Sequence, residues 1–394
     1  MQAFAARMGA PAEGVWAAPG RVNLIGEHTD YNAGFALPMA IEQCALVALA
    51  RRPDRVLRLG SAQADHGSLG SELRLEEIAL EEIAPGRDLG WAAYVAGAAW
   101  AAEQDTAPRD RSRCSGFDLL LDSDVPIGAG LSSSAALSCA TLLALSELWG
   151  LARSRLELAL LAQRAENEIA GVPCGLLDQL ASLCAENAHA LWIDFRTNSA
   201  QPLALPLHQA ELELLVIDTR CPHQLVEGAY RERRAACQAA ARALGLETLR
   251  DAQLAELEQQ QAVLGPERTR RARHVITENA RVLAAVSVLR EAARGAPERL
   301  ALLGPLLSAS HASLRDDFAV SVPQLDLAAA SAENAGALGA RLVGGGFGGS
   351  VLCLVRAGRA TAVAASVRDA FLAQGWDEPA CFPASPGPGA RRLR

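Results

Sequence analysis

The strongest constraint on the fold is one continuous run, "FDLLLDSDVPIGAGLSSSAALSCATLLALSELWGL", from Phe117 to Leu151. Its first part, "FDLLLDSDVP", is a short apolar run closed by Pro126, which predicts a strand. From Leu131 onward apolar residues recur at helical spacing, which predicts a helix beginning near Ser132. Between the two lie Gly128 and Gly130. A strand that passes through a glycine loop straight into a helix requires α and β elements packed in one domain. Other segments agree: "RVLRLGS" and "AELELLVIDTR" predict strands, and "SRLELALLAQRAENEIAG" predicts a helix. The pattern returns to strands at "HALWIDFRTNSAQPLALPL", which puts a domain boundary near residue 200 and divides the chain into 1–200 and 201–394. From Gln224 to about Ala301 the pattern is helical. The second half then runs through the helix "VPQLDLAAASAENAGALG", the loop "GGGFGG", the strand "SVLCLVR" and the helix "ATAVAASVRDAFLAQG". The Pro/Gly-rich tail "PASPGPGARRLR" is expected to be loose. The fold class is α+β, mixed α/β.

Composition narrows the chemistry. With 394 residues, half of them apolar, the chain can bury a sizeable core. A formal net charge of −8 argues against nucleic acid as a partner, because phosphate-backbone binding needs a broad basic face. The arginine groups at Arg231, Arg233 and Arg234 and at Arg268, Arg270, Arg271 and Arg273 read as solvated helix faces. All 37 basic residues are arginine. Without lysine there is no Schiff-base amine, no GxxxxGK[ST] loop and no protein-kinase strand lysine. Nine scattered cysteines without a CxxC pair suit reduced thiols in a cytoplasmic protein. No apolar stretch reaches the roughly 18 residues of a membrane span, and no leader is evident at the N-terminus. A monomer is the default expectation.

Three loops carry candidate chemistry. The first, Gly128 to Ser134, offers backbone N–H groups and a positive helix end to an anion, and its serine hydroxyls suit phosphate or Mg²⁺. A glycine turn with a serine N-cap is the other reading of the same residues. A Rossmann loop is disfavoured because the third glycine of GxGxxG is missing. With no lysine, an ATP site here needs a metal-binding carboxylate from elsewhere. "AQRAENEIAGVPCGLLDQLAS" supplies Glu166 and Asp178, the latter in a first helical turn that favours a carboxylate. The third loop, "RLVGGGFGGSVLCLV", sets five glycines around Phe347, more than a simple helix-to-strand turn needs. Finally, "GRVNLIGEHTDYNAGFALP" crowds Arg21, Glu27, His28 and Asp30 between apolar runs, either as turn charges or as a polar pocket.

In this order and spacing the loops resemble the three motifs of the GHMP small-molecule kinases, and Gly20 to Pro38 resembles the signature of the galactokinase family. Further similar segments are "GVPCGLLDQLAS", "GAYRERRAAC", "RARHVITEN", "SHASLRDDFAVSVPQLD" and "GARLVGGGFGGS". The resemblance implies a two-domain fold with the active site between the domains. It also implies Mg²⁺- and ATP-dependent phosphorylation of the anomeric hydroxyl of galactose. By motif, Glu27, His28, Thr29, Asp30, Gly175, Asp178 and Tyr230 would hold the sugar. Gly128, Ala129, Gly130, Leu131, Ser132, Ser133 and Ser134 would wrap the phosphates, with Trp91, Tyr94 and Ser61 beside the nucleotide. Ser134 and Glu166 would bind the metal, and Asp178 and Arg21 would be catalytic. A non-catalytic sugar sensor of the same family is the competing expectation, although its known examples lack a Ser-Ala pair that "SSSAAL" retains. A kinase for N-acetylgalactosamine or arabinose is another. Four positions depart from the family pattern: Val343 replaces threonine, Ser350 replaces cysteine, and Leu177 and Leu180 replace methionine and phenylalanine.

Overall fold

The apolar runs on either side of the polar stretch after Asn23 are two long strands, hydrogen-bonded to each other, so that stretch is the connection at one end of a sheet. The computed structural model describes residues 1–62, 75–221 and 226–394. The chain begins with α1 (Gln2–Met8), β1 (Gly14–Asn23), β2 (Phe35–Ala36), β3 (Pro38–Arg51), β4 (Val56–Ser61) and β5 (Glu76–Ala79). Next come α2 (Ala92–Asp105), β6 (Phe117–Ser123), α3 (Ser133–Leu148), α4 (Arg155–Glu168) and α5 (Leu177–Cys184). They are followed by β7 (His189–Asp194), β8 (Ser199–Ala204), β9 (Leu212–Asp218), α6 (Val226–Ala243), α7 (Leu254–Gln259) and α8 (Gln261–Ala293). The last elements are α9 (Leu303–Asp316), α10 (Pro323–Asn334), β10 (Gly339–Val343), β11 (Ser350–Arg356), α11 (Ala360–Ala373), β12 (Ala380–Ala384) and β13 (Arg391–Arg392).

Three sheets organise these elements, with strand orders β13-β1-β3-β6-β4-β5, β10-β11-β9-β12 and β2-β7-β8. Among the described residues only β4 and β6 run parallel; every other pair is antiparallel. The mixed α/β expectation holds, and the predicted strand, loop and helix from Phe117 onward form β6 and α3. Helix α3 is apolar on nearly every face because it packs against β1, β3, α2, α4 and α5 at once. Residue 200 lies in β8, whose hairpin with β7 also carries β2 from the first half. The predicted helical start at Gln224 lies outside the described residues. No helix among the described residues is long and apolar enough to cross a membrane.

The tail departs from expectation. Instead of hanging loose, it forms β12 and then β13, which pairs with β1 through Trp16↔Arg392 and Ala17↔Arg391. The Gly389 N–H donates to the Ala185 carbonyl at 2.9 Å, and the Leu393 N–H to the Val15 carbonyl at 2.8 Å. Proline and glycine report local stiffness and freedom. Pairing with a strand at the opposite end of the chain has no local signature.

Candidate active site

Arg21 owes its position to a break in strand regularity. The β1–β3 register shifts between Pro19 and Arg21, and Gly20 lets β1 approach the loop before α3. A Cβ on Gly20 would sit 2.7 Å from the Leu131 carbonyl oxygen. The Arg21 N–H donates to that same oxygen at 3.1 Å. From here the buried guanidinium reaches Asp178, with Nε donating to Oδ1 at 2.8 Å and Nη2 to Oδ2 at 2.9 Å. Its Nη1 donates to the Gly130 carbonyl at 2.5 Å. Such a planar two-point contact fixes the carboxylate in direction as well as in charge. Asp178 stands in the first turn of α5, just after the "GVPCG" break.

A cavity of about 230 Å³ opens over this pair. Arg21, Glu27, His28, Asp30, Gly175, Asp178 and Tyr230 all line it, so the predicted sugar residues converge with one exception. That exception is Thr29, which is buried and donates its hydroxyl to the Gly26 and Phe35 carbonyls at 2.9 and 2.7 Å. It shapes the loop from behind instead of facing the cavity. His28, at φ 61°, has Nδ1 2.8 Å from the Tyr31 hydroxyl and its ring 4.5 Å from that of Phe318. Burial lowers its pKa to about 3, so its ring is neutral. Asp30 is pushed the other way, to about 7, by burial and by the nearby Asp178 charge. Val172, Pro173, Cys174, Leu177, Gly344 and Gly345 also line the cavity. The two glycines come from the "GGGFGG" loop, whose glycine count was the available signal. The other four belong to the "GVPCGLLDQLAS" segment, whose motif resemblance marked the stretch without singling them out as cavity residues.

A second cavity of about 370 Å³ opens beside the start of α3. Ser61, Trp91, Tyr94, Ser133 and Ser134 line it together with Ala45, Leu121, Ser123, Ile127 and Leu137. The nucleotide residues expected from widely separated segments are thus brought to one place. Gly128 and Gly130 both have φ near 75°. The side chains of Ala129 and Leu131 are buried, which leaves only their backbone for a ligand. Ser132 differs from expectation: it is the N-cap of α3 at φ 62°, and its hydroxyl donates to Asp178 Oδ2. Its side chain therefore belongs to the Arg21–Asp178 arrangement. Ser350, one of the departures from the family pattern, is fully buried and donates to the Ala129 carbonyl at 2.7 Å, tying the last glycine loop to the Gly128–Ser134 loop. Val343, Leu177 and Leu180 are buried as apolar side chains.

Glu166, in the last turn of α4, is a buried carboxylate. Burial raises its pKa to about 7, hydrogen bonds from Gln179 and Ser134 oppose that, and the Asp178 charge adds to it. The Gln179 amide donates to Oε1 at 2.7 Å. Among the described residues no group of three or more His, Cys, Asp or Glu side chains could hold a metal ion. A cation here would therefore take its remaining ligands from water and from a bound phosphate.

Comparison with known proteins agrees with this geometry. Residues 2–51 match the galactokinase galactose-binding signature, 93–186 the GHMP kinase N-terminal domain and 286–373 the GHMP kinase C-terminal domain. The galactokinase of Streptomyces coelicolor is 46% identical over 387 residues, which is 98% of this chain and 95% of that protein. The galactokinase of Mycobacterium tuberculosis is 45% identical over 379 residues, covering 96% and 99%. The crystal structure of Lactococcus lactis galactokinase complexed with galactose aligns at a TM-score of 0.90 and 31% identity, covering 100% of this chain and 98% of that one. A mevalonate kinase structure at a TM-score of 0.62 and 18% identity shares the fold.

Proposed function

The chain belongs to the galactokinase family of the GHMP kinases, and from that premise we propose how its own residues carry phosphoryl transfer from ATP to the C1 hydroxyl of α-D-galactose. The observation that carries the reading is the Arg21–Asp178 pair. It stands at the floor of the sugar cavity, and the same guanidinium holds Gly130 of the phosphate loop. One residue pair thus touches both substrates' sites.

In this reading galactose occupies the cavity with its C1 hydroxyl toward Asp178. Asp178 accepts the hydroxyl proton as the oxygen attacks the γ-phosphorus, and the bond from that phosphorus to the β,γ-bridging oxygen breaks to release ADP. Arg21 holds the carboxylate through its two-point contact and stabilises charge that develops on the transferred group. Ser132 donates a further hydrogen bond to the same carboxylate, which limits its rotation. Glu27 and Asp30 receive sugar hydroxyls, and an epimer with a misplaced hydroxyl leaves a buried acceptor unpaired. ATP lies along Gly128 to Ser134, with its base in the cavity of Trp91, Tyr94 and Ser61. Phosphoryl transfer asks mainly for position and charge neutralisation, which this arrangement supplies without lysine.

Mg²⁺, when bound, would neutralise phosphate charge. Ser134 and Glu166 fit it, because hard oxygens suit that ion and the buried Glu166 carboxylate has its pKa raised in its absence. The same reading divides the chain near residue 200 and takes it as a cytoplasmic monomer.

A coupled ADP-release assay with Mg·ATP across galactose, glucose, N-acetylgalactosamine and arabinose tests the proposal. Turnover with galactose, and a kcat/KM far above that for glucose, is expected. Preference for another of these sugars would replace the substrate assignment, and silence on all of them would favour a sensor.

A further inference from the structure

Arg341 lies in β10, far in sequence from the sugar loop, and its residue is fully buried. Its Nη1 donates to the Asn23 carbonyl at 2.9 Å, where β1 ends. Its Nη2 lies 2.8 Å from Glu27 Oε1. This second contact is an ion pair whose N–H does not point along the line between the atoms. The Gly344 N–H donates to the same Oε1 at 2.8 Å. Two groups from the C-terminal half therefore converge on a single oxygen of a carboxylate that lines the sugar cavity. Among the described residues, no hydrogen bond engages Oε2.

We propose that Arg341 is a positioning residue for sugar recognition. It fixes Glu27 through one oxygen and so commits the other oxygen to a hydroxyl of the bound sugar. The proposal rests on the assignment of Glu27 to the sugar site. A glutamate has three side-chain torsions, and an unrestrained one would lose rotamer freedom whenever the sugar binds. Arg341 removes that cost in advance. Its planar fork reaches Asn23 and Glu27 together, which a single ammonium cannot do with the same geometry. The orientation of Glu27 thereby depends on where β10 and the last glycine loop place Arg341 and Gly344.

Steady-state kinetics on Arg341→Met, Arg341→Lys, Glu27→Gln and the double variant Glu27→Gln/Arg341→Met test this. R341M should raise the KM for galactose about tenfold or more, with the KM for ATP changed less than about twofold. R341K should recover part of the loss. In the E27Q background R341M should add less than about twofold, because its route to the sugar is already removed. If the two effects multiply instead, or if R341M weakens ATP as much as galactose, Arg341 does not act through Glu27. If R341M fails to fold, the double variant decides the matter, since it leaves no unpaired buried charge: a galactose KM equal to that of E27Q supports the proposal, and a KM several-fold higher overturns it. An unchanged galactose KM in E27Q alone would instead remove Glu27 from the sugar site.

Discussion

Gly175 is packed so closely on Asp30 that a Cβ at position 175 would lie 1.5 Å from Asp30 Oδ2. The absence of a side chain on one residue is what makes room for the carboxylate of the other. Gly175→Ala should therefore displace Asp30 and weaken galactose binding by about a hundredfold, on the order of 3 kcal/mol. Nucleotide binding should change little. Calorimetric titration with galactose and, separately, with ATP checks both halves, and a G175A protein that binds galactose normally would show that Asp30 is not a sugar ligand.

The two-point contact between Arg21 and Asp178 predicts how catalysis fails. Asp178→Asn keeps the size of the side chain but removes its capacity to take a proton, and turnover should fall by about 10²-fold or more. The galactose KM should move far less than kcat. Near wild-type turnover in D178N would leave only an electrostatic role for this residue.

Asp30 predicts a pH dependence. Its pKa in the sugar-free fold is about 7, raised from 3.8 chiefly by burial. A carboxyl that holds its proton more tightly when folded contributes stability that is fully present below about pH 4 and is lost as the pH rises through 7. Galactose should reverse this loss, because the ionised carboxylate is the stronger acceptor for a sugar hydroxyl. Between pH 6 and 8 the affinity for galactose should rise about tenfold. Glu166 titrates over the same range, so Asp30→Asn is the control, and its affinity should be flat with pH. A slope that survives in D30N would assign the dependence elsewhere.

Ser350 predicts an effect on the nucleotide side. Ser350→Ala would leave the buried Ala129 carbonyl without its partner, at a cost of about 1–3 kcal/mol in stability. Because Ala129 is in the phosphate loop, the KM for ATP should rise several-fold while that for galactose stays nearly constant. Ser350→Cys should lie between wild type and alanine, since a thiol is a weak donor. Thermal denaturation and initial-rate kinetics on the two variants are sufficient.

Much of the site was legible before the fold. The three loops could be marked as sites because glycine, serine and carboxylate residues at those positions carry local meaning: a turn, a helix end, a first-turn acid. The same holds for the strand–loop–helix from Phe117 to Leu148, where residue period alone predicts β6 and α3. Thr29 and Ser132 were harder. Both are small hydroxyl residues inside the right motifs, and nothing local tells a hydroxyl that faces a ligand from one that holds a carbonyl or a carboxylate.

The amino-acid sequence alone determined the mixed α/β class, the exclusion of lysine chemistry, and which short segments supply side chains to the two cavities. Tertiary structure decided the rest, since it depends on partners distant in the chain. The bulge at Pro19–Arg21 aims Arg21 at Asp178, 157 positions away. Arg341 reaches from β10 to Glu27 and to the Asn23 carbonyl at the end of β1. The Pro/Gly-rich tail becomes a strand only because β1 has an edge to receive it. Local propensity and periodicity act over a few residues, while pairing, burial and ion-pair geometry are settled only when the chain closes on itself.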